Sequence, residues 1–157
     1  MTPILLRPYR PGDAPALLDL FRNTIRRVNS RDYNAEQIAA WASDDIDLAT
    51  WSARFENRSA IVAEVADQLV GFTELEPDGH IDRFYVSADH QGVGVGKALL
   101  AAIVAEARRT DVSRLYAEAS ITARPFFASQ GFSVVAEQTV LARGVEFVNF
   151  RMERRLS

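Results

Sequence analysis

The sequence predicts a mixed α/β domain over residues 1–157, with a central six- to seven-stranded sheet flanked by helices. Three observations predict it. Apolar residues recur with a helical period near the start of the chain. The pattern then changes to short β-rich runs separated by turn residues. A glycine-rich loop next joins one such run to a long helical one, and a further β-rich run follows. A strand, helix and strand linked in this way form a βαβ crossover, which sets the two strands parallel.

Residues 4–9 read as the first strand. Pro11-Gly12 makes a turn, and Asp13 stands as the N-cap of a helix running to about residue 28. Ala16, Leu17, Leu20, Phe21, Thr24, Ile25 and Val28 follow the 3.6-residue period, so one face is buried. Asn34 followed by Gln37 has the form of a capping box for a second helix, with Ile38 and Trp41 on its apolar side. A short third helix covers 48–55. Residues 60–65 and 69–75 are β-rich, with Ala66-Asp67-Gln68 as the turn between them. Pro77-Asp78-Gly79 leads into a strand over 80–86, so strands two to four form an antiparallel meander. A long helix over 97–109 carries Leu99, Leu100, Ile103, Val104 and Ala107 on one face. Residues 113–120 form the fifth strand. A short helix over 123–129 ends at Gly131 as its C′ residue. Strands over 132–141 and 145–152 close a hairpin through Arg143-Gly144.

Composition excludes several functions. With 48% hydrophobic and 25% charged residues the chain has an ordinary globular profile. A net charge of −3 gives no reason to expect nucleic acid. Cysteine is absent, which rules out disulfides, a thiolate nucleophile and an acyl-cysteine intermediate. His80 and His90, the only histidines, lack the spacing of a zinc site, so no metal is expected. The apolar run after Met1 is too short for a secretory core, and no window nears the ~20 apolar residues of a membrane span. The expected location is the cytoplasm. Lys97 is the only lysine, and every other basic residue is arginine.

The stretch Gln91-Gly92-Val93-Gly94-Val95-Gly96-Lys97 carries the most chemical information. Glycines at every second position let the backbone approach a ligand and take torsions that a Cβ forbids. A turn of this kind opening a helix aims free N–H groups at one point, where the helix dipole favours an anion. A phosphate cradle at a strand–loop–helix junction follows. A Walker A loop fits poorly, because Gln91 stands where that pattern needs glycine and Ala98 offers no hydroxyl to magnesium. The dinucleotide fingerprint fits poorly as well. Its spacing is Gly-x-Gly-x-x-Gly, and it opens a βαβ unit rather than following a meander. A glycine-rich turn with no ligand is the remaining alternative on the loop alone.

Gln91-x-x-Gly94-x-Gly96, after a strand ending Phe84-Tyr85-Val86, resembles the acyl-CoA signature Gln/Arg-x-x-Gly-x-Gly/Ala of the GNAT superfamily of N-acetyltransferases. Ala123-x-x-Phe126-Phe127-x-x-x-Gly131-Phe132 is similar to that family's segment after the fifth strand. The opening strand with Arg10-Pro11-Gly12-Asp13 resembles the start of many members, and the order of elements agrees along nearly the whole chain.

The resemblance implies acetyl-CoA as co-substrate, with its pyrophosphate on the amides of Gly92, Val93, Gly94, Val95, Gly96 and Lys97. No metal is needed there. Gln91 would close the loop or donate to a phosphate. The pantetheine arm would pair with backbone groups of Phe84 and Val86, beside Tyr85, in a gap where strands four and five splay apart. Ser120, Ala123, Pro125, Phe126 and Phe127 would line the other side, and plain core packing competes for the two phenylalanines. Many members carry tyrosine where this chain has Phe127, and that hydroxyl protonates the departing thiolate. Phenylalanine cannot do so, which leaves another group, solvent, or unassisted departure. Tyr85 and Tyr116 are candidate substitutes.

The acceptor amine must lose a proton to attack. Candidates for general base are His80, Glu74, Asp82 and Glu118. His80 falls where some relatives carry a glutamate base, and an ordinary imidazole pKa near 6.5 suits the task. A surface histidine beside the turn is the competing reading. Glu74 is either functional or merely solvent-facing, and His90 belongs to the loop surface. Arg31-Asp32-Tyr33 and Trp41 mark the region where an acceptor would be selected, or else a capping Asp and a core Trp. The expected activity is direct acetyl transfer to a primary amine of a small molecule or peptide in a ternary complex. The rivals are a non-catalytic acyl-CoA-binding regulatory domain and a nucleotide-dependent phosphotransferase. A homodimer paired through the late hairpin stays open.

Overall fold

The computed structural model describes residues 2–156. Met1 and Ser157, the ends of the predicted domain, lie outside the described residues. Leu5–Pro8 (β1), Ser59–Val65 (β2), Gln68–Leu75 (β3) and Ile81–Val86 (β4) form an antiparallel sheet in the order β1-β2-β3-β4. Arg114–Ser120 (β5), Ser133–Ala142 (β6) and Val145–Arg155 (β7) form a second sheet in the order β5-β7-β6. The helices are Ala14–Arg27 (α1), Ala35–Trp41 (α2), Leu48–Ala53 (α3), Val95–Arg109 (α4) and Arg124–Ser129 (α5).

Local signals account for most of these boundaries. α1 buries Leu17, Leu20, Phe21, Thr24 and Ile25, as its period requires, whereas Ala16, expected on the same face, is exposed. Asp13 stands at the N-cap position without capping. Its carboxylate instead accepts the Arg10 N–H at 2.8 Å and both Arg7 guanidinium donors at 2.8 Å, tying β1 to the start of α1. The capping box at α2 is complete: Gln37 N–H donates to Asn34 Oδ1 at 2.9 Å, and Asn34 N–H to Gln37 Oε1 at 2.8 Å. Ala66 and Asp67, and again Arg143 and Gly144, have positive φ at both central positions of two-residue turns. Those torsions match the twist of the strands they join. Gly131 ends α5 with φ +87°.

Helices cover both faces. α1 and α3 pack Phe21 and Trp51 on Val62 and Phe72, joined by Phe55 from the turn after α3, which stops at Ala53 rather than at 55. On the other face α4 and α5 bury Leu100, Ile103 and Phe127 against Ile81, Leu115 and Ala117. Among the described residues no helix is long and apolar enough to cross a membrane.

Two irregularities of β4 shape the middle of the molecule. β4 and β5 are joined by a single parallel bridge, His80 to Tyr116, and beyond it they part. The seven strands are thus split into groups of four and three. β4 also bulges: Thr73 faces Phe84 and Leu75 faces Ile81, so Asp82 and Arg83 together oppose Glu74. A bulge of this kind re-aims side chains and sharpens twist.

Glu74 is neither solvent-facing nor on the cavity wall described below. It is fully buried and bonded to Arg83 and, at 3.1 Å, to Arg58. β3 is covered on both faces, so an acid there has no route to water and must be paired. Arg83, itself 4% exposed, lies 4.2 Å from the Trp51 ring and 4.4 Å from the Phe55 ring. Removing one partner of such a pair costs about 3–5 kcal/mol, because the other charge stays buried. Glu74 is thus engaged in a buried ion pair and does not reach the cavity.

Candidate active site

The glycine loop follows β4 directly. After a short 3-10 turn at Ala88–His90, Gln91 folds back, and its Nε2 donates to Val86 O at 2.8 Å. Gln91 therefore closes the loop. Gly92 and Gly94 take φ of +73° and +95°, torsions strained for any residue with a Cβ. The first intrahelical bond of α4 runs from Ala98 N–H to Gly94 O at 3.0 Å. The N–H groups of Val95, Gly96 and Lys97 are left to point out of the helix N-terminus. Lys97 is exposed in that first turn. A Cβ on Gly96 would sit 3.2 Å from the Phe126 ring, so glycine lets α4 lie close against α5.

The opening between β4 and β5 begins beside this loop. Ser87 N–H donates to Val70 O at 2.7 Å, across to β3. Backbone groups alternate sides along a strand, so Phe84 and Val86 turn theirs away from β3 and toward the opening. Val86 O is already held by Gln91 and, at 3.3 Å, by the Thr24 hydroxyl. A cavity of about 400 Å³ fills the opening. Phe84, Tyr85 and Val86 line it from β4, and Gln91, Gly92, Gly94, Val95, Gly96 and Lys97 from the loop and α4. Ser120, Ala123, Phe126 and Phe127 line it from the β5 side. Val93 and Pro125 are exposed and outside that lining.

Asp82 and Glu118 bring carboxylates to the same cavity. Burial works against the charge on Asp82, but Arg54 at 2.9 Å and Arg58 at 2.6 Å outweigh it and hold its pKa low. Glu118 is half-exposed and pairs with His80 Nε2 at 2.6 Å, which holds its pKa low too. The other ring nitrogen, Nδ1, lies 2.6 Å from Glu76. His80 is therefore not an ordinary imidazole. The Glu118 contact, opposed by burial and aided by Glu76, pushes its pKa up to about 9. It carries a proton at neutral pH. Glu76, His80 and Asp82 gather their polar atoms within 4.8 Å of one another, and the cation already among them is Arg58, 2.6 Å from Asp82 and 3.6 Å from Glu76.

The Acetyltransferase (GNAT) domain family matches residues 29–154. The chain belongs to the GNAT family. It is an acetyltransferase. It is 36% identical over 152 residues to the uncharacterized N-acetyltransferase YafP of Escherichia coli K12, covering 97% of this chain and 96% of that protein. The crystal structure of a GCN5-related N-acetyltransferase from Rhodopseudomonas palustris superposes with a TM-score of 0.94 at 35% identity, over 99% of this chain and 98% of that one. The PaiA N-acetyltransferase of Thermoplasma acidophilum, solved in complex with coenzyme A, shares the fold at a TM-score of 0.79 and 18% identity, over 98% of this chain and 99% of that one.

Against the GNAT pattern, Phe127 is the departure that matters. It is 3% exposed and packs on Phe84, Phe126 and Phe132. Neither tyrosine offered in its place is a free proton donor at this wall. Tyr116 donates its hydroxyl to Asp78, which, with burial, pushes its pKa to about 12. Tyr85 lies among Phe21, Phe72 and Trp41 on the opposite face, and burial raises its pKa. His90 is not a plain surface residue: it lines the cavity, and its Nδ1 is buried without a partner.

Sequence reasoning missed Asn29 and Thr24, cavity-lining residues carried in from the α1 side. Asn29 Nδ2 donates to Ser120 Oγ at 3.4 Å. Neither position has a motif, so no sequence signal marked them. Trp41 does line the cavity. Tyr33 is instead a tie: its hydroxyl donates to Val148 O at 2.7 Å and accepts the Ile121 N–H at 2.9 Å. It fastens the end of β5 to β7.

Proposed function

We propose that this GNAT protein transfers the acetyl group of acetyl-CoA to a primary amine, by direct attack in a ternary complex. The observation that carries this reading is the split sheet with an anion-type helix N-terminus at its mouth and two carboxylates on its inner wall. The diphosphate takes the N–H groups of residues 92–97, where backbone donors and the α4 dipole supply positive potential. Coenzyme A in the Thermoplasma relative, and acetyl-CoA in a Salmonella typhimurium relative of the same fold, support that assignment. The pantetheine arm lies along β4. Phe84 N–H meets the thioester oxygen, where a donor stabilises the developing oxyanion.

The acceptor enters from the α1–α2 side, past Trp41 and Tyr85. Asp82, kept anionic by its arginines, attracts the incoming ammonium. The ammonium must lose a proton before its lone pair attacks. The proton passes through Glu118 at the cavity to Nε2 of His80 behind it, in the deprotonated fraction of His80 that grows as pH approaches about 9. A base titrating near 9 is closely matched to an alkylammonium, whose reference pKa is about 10.4. The C–N bond forms, the C–S bond breaks, and no enzyme-bound acyl group is made. Small-molecule amines and peptide amines both fit this chemistry.

The test is CoA release from acetyl-CoA with a panel of small amines and peptides. Amine-dependent release is expected, with intersecting rather than parallel double-reciprocal lines. Release independent of any amine, or parallel lines signalling an acyl-enzyme, contradicts direct transfer.

A further inference from the structure

With phenylalanine at 127, the hydroxyls on the cavity wall decide how the leaving sulfur is received. Thr24 spends its hydrogen on Val86 O at 3.3 Å, and Thr122 on Asp32 at 2.8 Å. Tyr85 belongs to the acceptor side. Ser120 differs. Its Oγ accepts the Ala123 N–H at 3.0 Å and Asn29 Nδ2 at 3.4 Å. Both contacts use oxygen lone pairs, and among the described residues the hydroxyl hydrogen has no acceptor. Asn29 is 5% exposed, so its amide is held in place.

The position of Ser120 follows from the register. The parallel bridge pairs His80 with Tyr116. Four residues further along each strand stand Phe84 and Ser120, facing one another across the opening where the strands have parted. In the acetyl-transfer reading above, a thioester whose oxygen takes the Phe84 N–H lies between β4 and the β5 wall that carries Ser120.

We propose that the Ser120 hydroxyl, oriented by Asn29 and the Ala123 N–H, donates a hydrogen bond to the CoA sulfur as it departs. This rests on the acetyl-transfer reading above. When the amine nitrogen bonds to the carbonyl carbon, the C–S electron pair goes to sulfur. Ser120 keeps its proton and shares it, since an alcohol is a far weaker acid than a thiol. The thiolate takes its proton from solvent on release. Two donors onto Oγ polarise the O–H and strengthen it as a donor. Asn29 is a positioning residue, and Ser120 touches the reacting atom.

Free CoA is a probe that needs no knowledge of the acceptor. Its thiol is titrated in the complex by thiolate ultraviolet absorbance, with wild type, Ser120→Ala, Ser120→Thr and Asn29→Ala. The expected result is a bound thiol about one pKa unit more acidic in wild type than in Ser120→Ala, a tenfold effect of the size of one hydrogen bond to a charged group. Ser120→Thr restores it and Asn29→Ala weakens it, and the difference in CoA affinity between wild type and Ser120→Ala grows to about tenfold only as pH rises through the thiol pKa. Identical thiol pKa values in wild type and Ser120→Ala overturn the proposal. A loss of affinity without a change in thiol pKa also overturns it, by making Ser120 a wall residue only. If CoA binds none of the proteins, the acetyl-CoA reading itself fails, and that outcome is distinct from the other two.

Discussion

Gly94→Glu abolishes acetyl-CoA binding while the protein stays folded. Gly94 is the N-cap of α4, with φ +95°. A Cβ there meets only Ile4 Cδ1, at 3.9 Å, so the first side-chain atom makes no clash. It does carry the left-handed torsion penalty, about 1–2 kcal/mol. The added carboxylate stands where the diphosphate would lie, and like charges brought together at a binding site cost several kcal/mol. Affinity by calorimetry is expected to fall more than about 100-fold. Gly94→Ala separates the two effects, since it keeps the torsion penalty and lacks the charge. Its affinity should fall much less. Equal affinity in Gly94→Glu and wild type contradicts the cradle.

Glu118→Gln moves the acid-side limb of the rate profile, where activity rises as His80 loses its proton, from about 9 toward 6.5. The Glu118 contact is the largest cause of the raised His80 pKa, and an amide has no charge to replace it. The limb is read from log kcat/KM against pH, which reports free-enzyme groups. The acceptor's own ionisation is common to both proteins, so the difference between the profiles belongs to His80. Stability gives a second readout. His80 binds its proton more tightly folded than unfolded, so its contribution is complete below about 6.5 and is lost as pH rises through about 9. The wild-type advantage in Tm over Glu118→Gln should follow that window. His80→Ala is expected to lower kcat/KM by about 10²–10⁴-fold, the usual span of general-base catalysis, with acetyl-CoA affinity unchanged. Superimposable profiles for wild type and Glu118→Gln place the base elsewhere.

The element order was legible because its signals are local. Asn34 and Gln37 cap within one turn, and Gly131 and Gly144 mark stops that L side chains rarely make. The parting of β4 from β5 was legible only through the family resemblance, since nothing in 80–86 or 113–120 announces a missing ladder. The bulge at Asp82 was hidden for a related reason: it is a register shift against β3. Glu74 was ambiguous because strand alternation assumes one wet face, and β3 has none. Its partners, Arg58 and Arg83, lie 16 and 9 residues away. The raised pKa of His80 depends on Glu118, 38 residues on, across the βαβ crossover. The family resemblance and residue type placed His80 among the candidates, but only the fold supplies the charge that sets its protonation.

The diphosphate position is the claim from which the rest follows, and a crystal structure with acetyl-CoA tests it directly. The expected density puts diphosphate oxygens within hydrogen-bond distance of the N–H groups of residues 92–97, with the thioester between Phe84 and Ser120. Density for the diphosphate anywhere else on the protein contradicts the account.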